Sequence, residues 1–125
     1  MKPSQASIYR VVERLLQFSH GVVERLPKSI PNKVIGEQLI KDELDTLKYI
    51  TLAFQVDEGK PRLECIDALI LSMTSVKTIY RELLMTKGID PRRYAQFIEL
   101  ADAIGAQAGA WRRKQQAKDN LIVQG

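Results

Sequence analysis

Three short segments rich in proline and glycine divide the chain into four long stretches with helical periodicity. The breaks lie at 27–31, 58–61 and 87–91, and between them apolar side chains recur every three or four residues. No stretch of any length shows the pattern of a strand. The spacing predicts four helices at about 5–26, 31–57, 61–87 and 91–118, followed by a tail at 119–125.

The residues at the breaks predict how the helices begin and end. Ser4 can cap the first helix and Asp90 can cap the fourth, because short polar side chains accept hydrogen bonds from the first free N–H groups. Pro31 and Pro91 suit a first helical turn, where a missing N–H costs little. Gly88 is expected to supply the stop after the third helix.

Each helix is expected to bury an apolar stripe. In the second helix the predicted stripe comprises Ile35, Leu39, Ile40, Leu44, Leu47 and Phe54, with Ile50 and Ala53 beside it. The fourth helix has the most regular seam, formed by Tyr94, Phe97, Ala101, Ile104, Ala108 and Trp111. With breaks this short, consecutive helices should run antiparallel. The predicted fold is therefore all-α, a single domain over 1–125 that forms an antiparallel up-down-up-down four-helix bundle.

The second and third helices carry more apolar residues than one bundle core needs. The surplus residues are Val34, Ile50, Leu52 and Val56 in the second helix, and Leu71, Ile79 and Met85 in the third. A second buried face explains them, so we expect a ring-like homo-oligomer.

The composition offers little chemistry for an enzyme. The chain has one histidine, His20, and one cysteine, Cys65, and it contains no Glu-x-x-His motif, phosphate loop or nucleophile elbow. We therefore expect no catalytic residues, no metal and no cofactor. The first seven residues lack the apolar centre of a signal peptide, and no apolar run approaches the ~18 residues of a membrane span. These features favour a cytoplasmic protein with no membrane contact.

The formal net charge of +4 is unevenly distributed. Eight acids and four bases lie between 37 and 67, whereas six bases and two acids lie between 92 and 118. The strongest candidates for phosphate contact follow Trp111 and are Arg112, Arg113, Lys114 and Lys118. A second set, Lys28, Lys33, Arg92 and Arg93, should lie at the opposite end of an antiparallel bundle together with Arg25 and Lys87. The alternative is that both sets are solvated helix ends.

Two glycines four residues apart, Gly105 and Gly109, lie in the middle of the fourth helix. Glycine weakens a helix interior, so a compensating interaction is expected. We expect another helix to approach closely there, either inside the bundle or from a neighbouring subunit, with Trp111 closing the seam.

Several short stretches resemble a known family when their order and spacing are taken together. They are Leu26-Pro27-Lys28, Val34-Ile35-Gly36-Glu37-Gln38-Leu39, the leucine-rich third helix through Arg81, Gly88-Ile89, and Ile104-Gly105-Ala106-Gln107-Ala108-Gly109-Ala110-Trp111-Arg112. This order is similar to that of the four-helix bundle proteins that include the accessory variability determinant (Avd) of diversity-generating retroelements. The wider group includes proteins encoded in intervening sequences of bacterial 23S ribosomal RNA genes.

The resemblance implies a homopentameric ring with a positively charged surface. In the retroelement setting, such a ring binds a reverse transcriptase and template RNA and supports mutagenic cDNA synthesis. The family has no known catalytic residues, so none is transferred to this chain. The alternative, favoured by the acidic second helix, is a homo-oligomeric protein-interaction module without direct nucleic-acid contact.

Overall fold

A computed structural model describes the backbone of residues 2–124 and the side chains of residues 2–121. A short 3-10 helix, Pro3–Gln5, precedes four helices: α1 (Ser7–Arg25), α2 (Ile30–Gln55), α3 (Lys60–Met85) and α4 (Pro91–Gln124). The described residues contain no strand. Each helix packs against the next one along the chain, and α4 packs back against α1. The four helices therefore form a bundle, as the sequence predicts.

Side-chain contacts show the direction of the helices. Tyr80 near the end of α3 stacks on Phe97 near the start of α4, with ring centroids 3.8 Å apart. At the other end of the same pair, Arg112 Nε lies 2.6 Å from Asp67 Oδ1. Early residues of one helix thus meet late residues of the next, and α3 and α4 run antiparallel.

Of the two predicted caps, the one at Asp90 is confirmed, and Ser29 caps α2 in addition. Ser29 Oγ accepts a hydrogen bond from the Asn32 N–H at the start of α2, and Asp90 Oδ1 accepts one from the Arg93 N–H at the start of α4. The predicted cap at Ser4 is wrong, because this residue lies within the 3-10 helix and α1 begins after Ala6.

The end of α4 differs from the sequence prediction. The helix continues to Gln124, through most of the segment expected to be a tail, and Gly125 lies outside the described residues. Gln115 is buried near this end, and its Nε2 donates to Asp119 Oδ1 at 3.0 Å. The longer helix therefore also buries a side chain about one turn beyond Trp111, the last residue of the predicted seam.

At the end of α3, the residue with the left-handed backbone conformation is Lys87 and not the expected Gly88. Lys87 adopts a left-handed backbone with φ of 63°, while the two hydrogen bonds of a Schellman motif run from Gly88 N–H to Leu83 C=O and from Lys87 N–H to Leu84 C=O. A left-handed conformation is unfavourable for a residue with a Cβ. Gly88 instead serves close packing, described below.

The core contains apolar residues from all four helices. The largest fully buried side chains are Leu15, Leu39, Ile50, Ile66, Leu69, Tyr80, Leu83, Phe97 and Ile104, together with one carboxylic acid, Glu43. No helix among the described residues is long and apolar enough to cross a membrane.

The predicted stripe of α2 is partly wrong. Leu44 is 50% exposed and Phe54 is 36% exposed, whereas Ile50 and Ala53, placed beside the stripe, are completely buried. Apolar residues on several sides of α2 left its rotation undetermined by periodicity alone. In the fold, the inward face is the one that also contains Glu43.

Candidate nucleic-acid interface

The α1–α2 and α3–α4 turns meet at one end of the bundle. A Cβ placed on Gly88 would lie 3.2 Å from Leu26 Cδ2 and 3.1 Å from Leu83 Cδ2, so Gly88 is pressed against the turn opposite. Within the α1–α2 turn, Asn32 Nδ2 donates to the Pro27 carbonyl oxygen at 2.7 Å. The Gly88 contact places the two turns side by side, and the Asn32 hydrogen bond orders the α1–α2 turn.

Six basic side chains surround these turns, and we call them the turn-end basic surface: Arg25, Lys28, Lys33, Lys87, Arg92 and Arg93. Arg93 is half-buried and the other five are exposed. In the part of the chain that the structure describes, none of the six lies within 4.0 Å of a carboxylate oxygen. The one acid within the two turns, Asp90, is engaged as the cap of α4. Among the described residues, these six cations are therefore not held in ion pairs.

A groove of about 310 Å³ opens beside the α1–α2 turn. Its wall includes the apolar side chains of Leu26 and Pro27 and the bases Lys28 and Lys33. Apolar surface next to ammonium groups is a chemically suitable surface for a nucleotide, which has a base to cover and a phosphate to neutralise.

The charge of this end comes from side chains rather than from helix dipoles. The positive ends of α2 and α4 lie here, but the negative ends of α1 and α3 lie here too, because the helices alternate in direction. Their dipoles largely offset one another. Any attraction for a polyanion thus depends on the six bases themselves.

The other predicted cluster is at the far end of the bundle, where acids neutralise part of it. Arg112 pairs with Asp67 at 2.6 Å, and Lys118 Nζ lies 3.5 Å from Glu58 Oε1. Glu58 also pairs with Arg62 Nη1 at 2.9 Å. Two of the four basic residues that follow Trp111 are therefore in ion pairs, so this cluster has fewer unpaired positive charges than the sequence indicates.

Arg113 and Lys114 remain exposed, with no carboxylate within 4.0 Å among the described residues. The Arg113 side chain folds back along its own helix, with Nη1 3.3 Å from the position of a Cβ on Gly109. About 20 residues of helix separate this pair from Arg92 and Arg93, which at 1.5 Å per residue is about 30 Å. The structure therefore groups the turn residues together and places the tail residues in a separate, weaker cluster.

The two mid-helix glycines of α4 have no close helix neighbour inside the bundle. A Cβ on Gly105 would meet nothing within 4 Å, and one on Gly109 would meet only the Arg113 side chain of the same helix. The expectation of tight packing inside the bundle is therefore wrong, while packing between subunits stays a prediction. Trp111 is half-buried and contacts Phe54, with ring centroids 5.1 Å apart.

A buried polar cluster that the sequence analysis missed lies in the core. Ser19 Oγ donates to Glu43 Oε2 at 2.6 Å and lies 2.6 Å from the Tyr80 hydroxyl, and all three side chains have no exposed surface. Burial raises the pKa of Glu43 to about 8, although the Ser19 hydrogen bond opposes the shift. Burial also raises the pKa of Tyr80. The position of Glu43 in the sequence could have predicted its burial, because it lies midway between Leu39 and Leu47 at helical spacing.

This cluster has consequences for charge and for chemistry. With its pKa raised to about 8, Glu43 holds its proton through most of the neutral pH range, and Asp42 beside it is buried too. The acidic second helix is therefore less acidic on its surface than in its sequence. A perturbed carboxyl is often catalytic, but a side chain without exposed surface meets no substrate in this conformation.

The remaining reactive residues are separate from one another. His20 is exposed on α1, and Cys65 is half-buried as a free thiol on α3. Among the described residues, no group of three or more His, Cys, Asp and Glu side chains is arranged to hold a metal ion.

Comparison with protein-family models, with curated proteins and with solved structures finds no match for this chain.

Proposed function

We propose that this protein is a non-enzymatic scaffold that binds RNA or cDNA through the turn-end basic surface and works as an accessory to a reverse transcriptase. The observation that carries the proposal is a set of six bases around two adjacent turns at one end of the bundle; among the described residues, none of the six lies within 4.0 Å of a carboxylate oxygen. We propose a reverse transcriptase as the partner because the sequence resembles the retroelement accessory proteins.

The geometry favours phosphate contact over simple solvation of helix ends. Lys28 and Lys33 flank an apolar groove, and Arg92 and Arg93 extend from the first turn of α4. Because Gly88 packs against Leu26, the turns near these bases are already adjacent before any ligand binds. A nucleic-acid backbone with regularly spaced charges matches such a surface better than a single anion does.

The homo-oligomer in this proposal is a ring, with five subunits as the expected number. A ring repeats the turn-end basic surface once per subunit, so weak contacts to successive phosphates act together along one strand. The modest charge of one chain becomes a strong electrostatic surface in this arrangement.

The test is a titration of labelled single-stranded RNA at several salt concentrations, with mass measured by light scattering on the same sample. We expect log K to fall linearly with log salt, with a slope of about −0.7 for each phosphate neutralised. Replacing Lys28, Lys33, Arg92 and Arg93 with Gln should flatten the slope by about three units and weaken binding at low salt.

The matched control neutralises the same number of charges at the other end, by replacing Arg112, Arg113, Lys114 and Lys118 with Gln. We expect a smaller change, because two of these bases are already paired with acids. Equal effects of the two quadruple variants would contradict the assignment to the turns. An oligomer that ignores RNA at low salt would contradict the nucleic-acid function altogether.

The second candidate function is a protein-interaction module without nucleic-acid contact. Exposed apolar side chains on α2, with Ile30 81% and Val34 59% exposed, favour it. Under this alternative, a reverse transcriptase or another protein still binds the quadruple turn variant, and RNA does not bind the wild type.

A further inference from the structure

The outer face of α2 has the spacing of a coiled-coil seam although it faces away from the core. Its members are Ile30, Val34, Glu37, Lys41, Leu44 and Lys48, separated by four, three, four, three and four residues. All six are exposed, and Ile30, Val34 and Leu44 are at least half exposed. This spacing keeps the six side chains in one line along a helix, where a second helix can pack.

An apolar groove of about 570 Å³ runs beside this seam, between α1 and α2. Val23, Gly36, Ile40 and Leu44 form part of its wall. A Cβ on Gly36 would lie 2.8 Å from Val23 Cγ1, so the glycine forms the floor at the point where the two helices approach. The seam and the groove together make a largely apolar face with charges at fixed intervals.

We propose that this face binds a second copy of the chain, with the two α2 helices antiparallel around a two-fold axis near residue 39. In this register Val34 lies opposite the partner's Leu44, and Glu37 lies opposite the partner's Lys41. The two-fold axis repeats each contact, so the interface contains two apolar layers and two oppositely charged layers.

Charge selects this arrangement over the parallel one. In a parallel pair each seam residue meets its own copy, which brings Glu37 against the partner's Glu37 and Lys41 against the partner's Lys41. Like charges at a seam oppose association, whereas the antiparallel register pairs every one of these groups with its opposite. The sequence of α2 is therefore complementary to itself in one direction only.

The outermost layer and the groove fit the same register. Lys48 lies opposite the partner's Ile30, and its four-carbon stem covers the apolar side chain while the ammonium group stays in water. Ile40, in the groove wall, lies one residue from the axis and meets the partner's Ile40. In the single chain, Lys41 Nζ and Lys48 Nζ lie 2.9 and 3.9 Å from the Asp45 carboxylate on the same helix. Exposed ion pairs of this kind are weak, so both lysine side chains can move to contact the partner helix.

This contact is additional to the ring in the proposed function and does not depend on it. A two-fold contact joins chains in pairs, so it produces a dimer by itself and a ten-subunit particle when combined with a five-membered ring. The proposal is thus an assembly with an even number of chains.

The experiment is sedimentation equilibrium, without nucleic acid, on the wild type and on Glu37→Lys and Lys41→Glu. Each single variant places like charges at both central layers, so we expect the dissociation constant of the two-fold contact to rise at least tenfold. An equimolar mixture of the two variants restores every opposite pair, because one helix then has two Lys and the other two Glu. We expect the mixture to recover the wild-type association constant within a few-fold.

The mixture separates this contact from effects within one helix. Residues 37 and 41 are also neighbours on the same helix, and each variant keeps that internal repulsion after mixing. Recovery on mixing therefore reports an intermolecular pair. Glu82→Lys, an exposed substitution on α3, is the matched control and should leave association unchanged.

Three results would overturn the proposal. They are a wild type that is monomeric or has an odd number of chains, single variants that associate like the wild type, and a mixture that stays dissociated. None of them bears on RNA binding by the turn-end basic surface, which is measured separately.

Discussion

Gly88 in the α3–α4 turn lies against Leu26 in the α1–α2 turn so closely that a Cβ at position 88 would be 3.2 Å from Leu26 Cδ2. This one contact joins two segments more than 60 residues apart in sequence and brings the bases of both turns to one surface. The arrangement of the candidate interface therefore depends on a residue with no charge and no side chain.

Gly88→Val should lower the free energy of unfolding by about 1–3 kcal/mol, the usual cost of overpacking. The added methyl groups would crowd Leu83 and Leu26, whose Cδ2 atoms are already 3.1 and 3.2 Å from the position of a Cβ. Chemical denaturation measures the change. The matched control is Gly21→Val in α1, where a Cβ meets nothing within 4 Å, and it should change stability by less than about 0.5 kcal/mol. Similar losses in both variants would show that the close approach at Gly88 is unimportant.

Lys87→Gly should raise the free energy of unfolding by about 1 kcal/mol, because glycine adopts the left-handed conformation without the steric cost paid by lysine. Lys87→Ala is the control, since it removes the same charge but keeps the Cβ. RNA affinity should fall equally in the two variants, while only the glycine variant gains stability. A gain of the same size with alanine would mean that backbone strain is not the cause.

The protein should lose stability as pH rises from about 4.5 to about 8, and Glu43→Gln should remove this loss. The folded state keeps the Glu43 proton up to a pKa of about 8, whereas the unfolded chain releases it near 4.5. The folded state therefore binds more protons across this window, and stability falls by up to ~1.4 kcal/mol per pH unit before levelling above the folded pKa. Denaturation at pH 5, 6.5 and 8 measures the slope.

Glu13→Gln, at an exposed position on α1, is the control for this experiment and should retain the wild-type slope. The groups facing Glu43 are Ser19, Tyr80 and Asp42. A Glu43→Gln variant that keeps the full slope would assign the pH dependence to another group.

Ser19→Ala should cost about 1–3 kcal/mol, because Glu43 and Tyr80 would each lose a hydrogen-bond partner in the core. The same change should raise the pKa of Glu43 further, since the Ser19 hydrogen bond lowers it. Ser75→Ala, at an exposed position on α3, is the matched control and should be close to neutral. Thermal unfolding and titration of the variants measure the two effects, and a neutral Ser19→Ala would show that water replaces the hydroxyl.

The candidate interface was only partly predictable. The sequence predicted two basic clusters and placed Lys28 and Arg92 at the same end of the bundle. It did not predict that Arg112 pairs with Asp67, because these residues are 45 positions apart and their contact depends on the relative register of α3 and α4. That register decides which bases remain free.

The sequence by itself determined the number of helices and most of their ends. Proline and glycine act through local backbone geometry, so Pro31, Pro91 and the capping Asp90 fix helix boundaries whatever surrounds them. Periodicity likewise sufficed for α4, where Phe97, Ala101, Ile104 and Ala108 of the predicted seam are all buried.

Only the tertiary structure decided how α2 is rotated, which acids are buried and which bases are neutralised. Leu44 is as apolar as Leu39, yet one is half exposed and the other buried, because neighbouring helices have room for only one face. The same packing placed Glu43 in the core and shifted its pKa, which no local pattern specifies. These properties arise from contacts between distant segments, and such contacts exist only once all four helices are assembled.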